Sequence, residues 1–343
     1  MTGKELARDD DRLIQDFLAV AGWNGAEIFP IPGDASFRRY YRVRHGDSAD
    51  GLGRAILMVA PPPEENVAPF LDIAAYLCNN KLKAPEIFAA DRETGLVLLE
   101  DFGNDRMREA ADEMAPDEEQ AVYRRAVKTL ASLHRQTLPN LPFYDEKTYR
   151  REAMLFCEWY CPAQGLSVDE SGFIAALDEA LQPVIAAQEH PVVVLRDYHA
   201  ENIMLLENGR QGLLDFQDAL LGHPAYDLMS LLQDARRDVP QAIEDEMLAY
   251  FIAQTRASEQ FVSDYAVLGT QRNLKIIGIF TRLMRRDDKP RYLDFIPRVW
   301  RYLERDLAHP AAAPLASWFA TNIPAEYREG GGLVERLGDH AGH

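Results

Sequence analysis

Apolar residues recur every second position in short stretches of the first hundred residues, and every third or fourth position in long stretches thereafter. Residues 37–44 alternate as a half-buried strand does, 55–59 run apolar, and 27–30, 86–90 and 96–100 have strand length and composition. A helix over 5–21 is stopped by Gly22, and Pro61-Pro62-Pro63 breaks the chain before a helical period over 67–79. Five strands and one internal helix thus fill residues 1–100. Glu100-Asp101-Phe102-Gly103-Asn104 interrupts the pattern, and 101–104 is expected to be a hinge. In 117–136, Val122, Ala126, Leu130 and Leu133 fall on one face, and 146–160, 171–188, 226–236, 243–255, 263–286 and 292–307 also look helical. A strand-rich insert over 192–216, with a turn at Asn208-Gly209, sits between those helices. The fold class expected is α+β: a small five-stranded antiparallel lobe, then a mostly helical lobe over 105–323. The tail 324–343, with Gly330-Gly331-Gly332, is expected to be loose.

Composition narrows the function classes. The chain of 343 residues has room for two lobes with real cores, and its net charge of −18 argues against nucleic acid and anionic membranes as partners. The first twelve residues are charged and lack the apolar run of a signal peptide, and no stretch approaches the roughly 20 apolar residues of a membrane span. A cytoplasmic protein is expected. Cys78, Cys157 and Cys161 have no zinc spacing and no even pairing, so they read as incidental thiols.

The insert carries the chemistry. An apolar strand, Val192-Val193-Val194-Leu195, leads into Arg196-Asp197-Tyr198-His199-Ala200-Glu201-Asn202, and a hairpin then delivers Leu213-Leu214-Asp215-Phe216. Phosphoryl transfer from a nucleotide needs a carboxylate to position and deprotonate the attacking hydroxyl, and a carboxamide and a second carboxylate to hold magnesium on the phosphates. Asp197 is the candidate catalytic base, and Asn202 and Asp215 are the candidate metal ligands. The bland alternatives, a polar hairpin loop and a helix cap, do not account for the whole ordered run. No Gly-x-x-x-x-Gly-Lys-Ser/Thr occurs, which excludes a P-loop ATPase. Between the first two strands, Gly33 permits a tight backbone and Ser36 is a candidate phosphate donor.

The spacing of five from Asp197 to Asn202 and of thirteen to Asp215 resembles that of protein kinases and of the aminoglycoside-phosphotransferase superfamily. Gly222-His223-Pro224-Ala225-Tyr226-Asp227-Leu228 is similar to the superfamily's Gly-x-Pro-x-x-Asp-Leu, which implies a structural role for Asp227 in bracing the catalytic loop. His134, in Leu130-Ala131-Ser132-Leu133-His134, resembles a structural Leu-x-x-Leu-His of the same superfamily. The resemblance implies a bilobal protein-kinase-like fold, ATP and Mg2+ as cofactors, and adenine read by the backbone near Glu100 and Phe102. Two positions depart from it. Met58 stands where the third strand should carry a phosphate-binding lysine, and Leu195 stands where a histidine is usual. Arg38, Arg39 and Arg42 are candidates to replace the lysine, with strand alternation putting Arg38 and Arg42 on one face and Arg39 on the other.

Gly33-Asp34-Ala35-Ser36-Phe37-Arg38-Arg39-Tyr40-Tyr41-Arg42, Met58-Val59-Ala60-Pro61-Pro62, Leu99-Glu100-Asp101-Phe102-Gly103, Asp215-Phe216-Gln217-Asp218-Ala219 and the run from Gln271 to Leu283 resemble one bacterial branch, across about 17–307. Its members are the anomeric kinases of cell-wall recycling, acting on the C1 hydroxyl of N-acetylmuramate and N-acetylglucosamine. That branch also has Met for the missing lysine, but its usual Asp after that Met is Val59 here. The candidate substrate residues are Glu158, Trp159, Asp218, Arg272 and Lys275, the last two as an i, i+3 pair for a lactyl carboxylate or as a surface stripe. The acceptor stays open between an amino sugar, an aminoglycoside and an amino alcohol. A nucleotide-binding regulator without activity is the competing class, favoured by the missing lysine and opposed by Asp197, Asn202 and Asp215 together.

Overall fold

Alternation in the first hundred residues becomes an antiparallel sheet of order β1-β2-β3-β5-β4. Its strands are β1 (Glu27–Ile31), β2 (Arg39–Arg44), β3 (Arg54–Val59), β4 (Ile87–Asp91) and β5 (Leu96–Glu100). The computed structural model describes residues 3–32, 37–46 and 53–328. Gly33 and Ser36, expected at the phosphates, lie outside the described residues. One face of the sheet is apolar: Val43, Ala55, Leu57, Val59, Leu96 and Leu98 pack with Ile14 and Leu18 of helix α1 (Gly3–Val20). The alternate positions, among them Tyr40 and its register partner Met58, therefore point to the other face. Helix α2 (Ala68–Asn79) starts at a proline and buries Phe70, Leu71, Ile73, Ala74 and Leu77.

The described residues pack as two compact units, one within 3–107 and 202–218 and the other within 108–201 and 219–328. The hairpin of β7 (Ile203–Leu205) and β8 (Gln211–Leu213) belongs to the first unit, where the Leu213 N–H donates to the Lys83 carbonyl at 2.7 Å and the Leu205 N–H to that of Asp105 at 2.7 Å. In the second unit β6 (Val192–Val194) pairs with β9 (Leu220–Gly222).

The helices from α3 onward are α3 (Met107–Glu113), α4 (Pro116–Leu133), α5 (Glu146–Ala153), α6 (Cys161–Ala163), α7 (Glu170–Ala187), α8 (Ala225–Leu232), α9 (Gln241–Thr255), α10 (Phe261–Asp287), α11 (Ile296–Leu307) and α12 (Ala313–Asn322). The long α10 is the axis of the second unit and packs against α5, α7, α8 and α11. Three stretches differ from their expected helices. The span 146–160 breaks after α5 into a π-helical turn, Phe156–Tyr160. The span 226–236 ends at Leu232, with Gln233 outside helical angles. The span 292–307 opens as a 3-10 turn, Pro290–Phe295, before α11. Beyond α12 the Tyr327 carbonyl accepts the Tyr160 hydroxyl at 2.6 Å, which ties down the start of the segment read as a tail.

Candidate active site

The site is built from short strands that end where their polar residues begin. In the second unit β6 stops at Val194, and the next two N–H groups, of Leu195 and Arg196, donate to the Asp227 carboxylate at 2.6 and 2.8 Å. Arg196 has φ 71°, a left-handed conformation that a residue with a side chain holds only when its surroundings enforce it. Asp227, early in α8, supplies that enforcement from a fully buried position. Burial pushes its carboxyl up to about 7, against the two N–H donors that favour the charged form.

Asp197 follows, half-buried. Around it is a knot of charges that the motif reading did not include. Glu152 of α5, buried, accepts from Arg196 at 2.5 Å, from Lys275 of α10 at 3.0 Å and from the Tyr144 hydroxyl. Burial works to lower the Lys275 ammonium, but Tyr226, Glu152 and Asp197 outweigh it and hold it above its ordinary value. Arg196 and Lys275 thus both lie within electrostatic reach of Asp197. The signal for Glu152 was present in the sequence: it sits among Tyr149, Ala153 and Phe156 on the buried face, where a carboxylate requires a partner.

The two residues expected to meet a lactyl carboxylate are placed otherwise. Lys275 is engaged by Glu152, and Arg272 is buried, with its Nη1 unpartnered and its charge felt by His199 and Asp227. The pair is no surface stripe, because α10 turns this face into the unit's interior. Burial and the Arg236 guanidinium push the neighbouring His199 down to about 3. The π turn separates the aromatic cluster: Phe156 and Tyr160 stack at 5.0 Å inside the core, while Glu158 is exposed and Trp159 half-buried. Glu158 acts electrostatically on Arg282, seven residues along α10 from Lys275, which is about 10 Å of helix. His134 is half-buried with both ring nitrogens out of solvent and unpartnered, edge-on to Phe251 at 5.7 Å, and burial of the ring pushes it down to about 3, so it is neutral.

In the first unit the β7–β8 hairpin brings Asn202 and Asp215 together. The Asn202 amide donates to one Asp215 oxygen at 3.4 Å and the Gln217 amide to the other at 2.8 Å. Asp215, a predicted metal ligand, has φ 55° and is, like Arg196, left-handed. One carboxylate and one carboxamide are hard oxygen donors, and they suit magnesium, which takes one or two protein carboxylates and completes its shell with water and phosphate. Asp218 is exposed three residues on.

At the end of β5, the Glu100 side chain is bound by Lys83 at 2.5 Å and by the Glu86 N–H at 3.1 Å. The Phe102 ring lies against Gly212, where an added Cβ would stand 2.5 Å from it. Both side chains are therefore structural ties. Arg42 reaches Asn104 at 2.9 Å, Asp101 at 2.7 Å and the Gly103 carbonyl at 3.1 Å, so it clamps the stretch 101–104. Arg39 is exposed, and alternation puts it on the α1 face, away from Tyr40 and Met58. Arg38 pairs with Glu65 at 2.9 Å.

A sequence model of the family described as "Phosphotransferase enzyme family" matches residues 27–263. The chain is 36% identical to the N-acetylmuramate/N-acetylglucosamine kinase of Pseudomonas aeruginosa, over 91% of this chain and 94% of that one. It is 33% identical to the N-acetylmuramate/N-acetylglucosamine kinase of Caulobacter vibrioides, over 91% and 96%. Among solved structures, it is similar to a choline kinase from Streptococcus pneumoniae with a TM-score of 0.62, at 13% identity over 87% of this chain and 99% of that one. An ADP-bound aminoglycoside phosphotransferase superposes with a TM-score of 0.59, at 13% identity over 88% and 100%. Those two likenesses bear out the bilobal kinase-like fold.

Proposed function

The chain belongs to the phosphotransferase enzyme family, and from that premise we propose that it is a cytoplasmic kinase that phosphorylates the C1 hydroxyl of N-acetylmuramate or N-acetylglucosamine with ATP and magnesium. The observation that carries the acceptor is the 36% identity, over nine-tenths of both chains, to a kinase of that name. Among the described residues no helix is long and apolar enough to cross a membrane, which is compatible with the proposed location.

Asp197 is assigned as the general base that takes the proton of the attacking hydroxyl. The backbone just before it is held by the Asp227 brace, and Arg196 and Lys275 lie within electrostatic reach. Asn202 and Asp215 are assigned to magnesium, which when bound would neutralise charge on the phosphates. Trp159, Glu158 and Asp218 are the proposed sugar-facing groups. Arg272 and Lys275, both turned inward, are read as supports of the catalytic loop, and the backbone beside Glu100 and Phe102 as the adenine contact.

A panel assay tests the acceptor: ATP consumption with amino sugars, aminoglycosides and amino alcohols, then phosphorus NMR of the product. The expected product is a glycosyl-1-phosphate that acid cleaves, because the ring oxygen assists its departure. A 1-O-methyl glycoside should be no substrate. An acid-stable phosphate, or turnover of the blocked sugar, would assign the chain to a different acceptor.

A further inference from the structure

We infer that Arg38, held by Glu65 and Tyr40, is the cation that binds the nucleotide phosphates in this chain, in place of the third-strand lysine that Met58 displaces. The inference rests on the kinase reading above and extends it to a residue-level assignment. Every observation behind it lies within the first unit.

Sheet register comes first. Met58 is fully buried in β3 and pairs with Tyr40 of β2, and both point to the face opposite α1. A cation from β3 would project on that face. Arg38 stands two residues before Tyr40 and so approaches the same face from the neighbouring strand. Its Nε donates to Glu65, which lies three residues before the start of α2, and its side chain also bonds the Tyr40 hydroxyl. Kinase chemistry uses a strand cation paired with a carboxylate of the internal helix; here the cation stands immediately before β2 and its carboxylate in the turn leading to α2.

The site's place is marked by Tyr40. Burial raises its phenol, Arg38 lowers it, and the Asp215 carboxylate is close enough to raise it further. Arg38 therefore keeps to the face of the sheet that carries Tyr40 and Met58. The pair is also shielded, with side chains only 13% and 15% exposed. An ion pair so far out of water costs desolvation that a purely superficial pair would avoid.

The other basic residues nearby have different tasks. Arg42 clamps the stretch 101–104, Lys83 is bound to Glu100, and Arg39 faces the opposite side. Arginine also suits the role chemically, since its planar, permanently charged fork matches phosphate oxygens with two parallel hydrogen bonds.

A nucleotide ladder separates phosphate contact from structural support. Calorimetric binding of adenosine, AMP, ADP and ATP, with magnesium, is compared in the parent, Arg38→Met, Arg38→Lys, Glu65→Gln and the exposed control Arg54→Met, with melting temperatures recorded without nucleotide. Arg38→Met should weaken ADP and ATP by roughly tenfold or more, as loss of a charge-assisted phosphate contact does, and leave adenosine within twofold. Arg38→Lys should recover part of the loss, Glu65→Gln should fall between, and Arg54→Met should match the parent. Parental ADP and ATP affinities in Arg38→Met, or an equal loss for adenosine, would overturn the assignment while leaving the kinase reading intact. A parent that binds no adenine nucleotide would overturn both.

Discussion

Asp197 illustrates how a single residue is made useful by groups far from it in sequence. Asp227 fixes the backbone before it, and Glu152 gathers Arg196 and Lys275 beside it. Asp197→Asn should therefore cut turnover by roughly two orders of magnitude or more. Nucleotide affinity should stay nearly parental, since the base acts on the acceptor. Turnover within a few-fold of the parent in a single-turnover assay would remove Asp197 from the role. Asn202→Ala and Asp215→Asn should instead shift the magnesium titration to higher concentration, and an unchanged curve in both would break the metal assignment. A second residue-scale prediction concerns His134. Its folded pKa of about 3 lies below the ordinary 6.5, so between those values the unfolded chain binds a proton that the folded chain refuses. Stability is thus lost as pH falls through that window, by at most about 1.4 kcal/mol per pH unit. His134→Gln should show a shallower loss of melting temperature from pH 6.5 to 4 than the parent does; parallel curves would mean that His134 is accessible and protonates in place.

At the scale of elements, the break between α5 and α6 is the informative case. Periodicity over 146–160 reads as one helix, because Tyr149, Phe156 and Tyr160 all fit a buried stripe. What interrupts it is Gly278 of α10, whose missing side chain lets the Leu155 backbone approach so closely that a Cβ would stand 2.3 Å from its carbonyl carbon. The π turn widens the helix beside that crossing and turns Glu158 outward while keeping Phe156 and Tyr160 in. Gly278→Ala should accordingly destabilise the protein by about 1–3 kcal/mol, since backbone rather than a flexible side chain must move. An unfolding midpoint equal to the parent's in urea would show that the crossing has slack. The β7–β8 hairpin behaves differently: its turn at Asn208-Gly209 is local chemistry, and it forms where the sequence places it.

For the whole molecule, the chain's two packing units divide between Glu201 and Asn202, inside the five-residue step of the motif. The candidate base thus belongs to one unit and the candidate metal ligands to the other. An enzyme of this plan should gain stability from nucleotide by mass action, about 2.7 kcal/mol at a hundredfold excess over Kd. Differential scanning with magnesium and ADP should show that rise in melting temperature, and magnesium alone should not reproduce it. A melting temperature indifferent to ADP up to millimolar concentration would contradict the proposed donor.

What the sequence determined by itself was local or one-dimensional. Strand alternation, helix stripes, the proline and glycine stops, the order strand–loop–Asp–Asn–hairpin–Asp, and the family likeness all depend on residues close together in the chain. The five strands and most helices followed within a few residues. Tertiary structure alone decided the partners. Arg38, Arg39 and Arg42 are nearly indistinguishable as neighbours on one strand, yet Glu65, the α1 face and Asp101 give them three different surroundings. Likewise Arg272 and Lys275 share a helical face that periodicity marks without saying whether it meets solvent or the Glu152 knot. A charge acquires its role from the desolvation and counter-charges around it, and those are set by other segments, 27 residues away for Arg38 and 59 for Arg42.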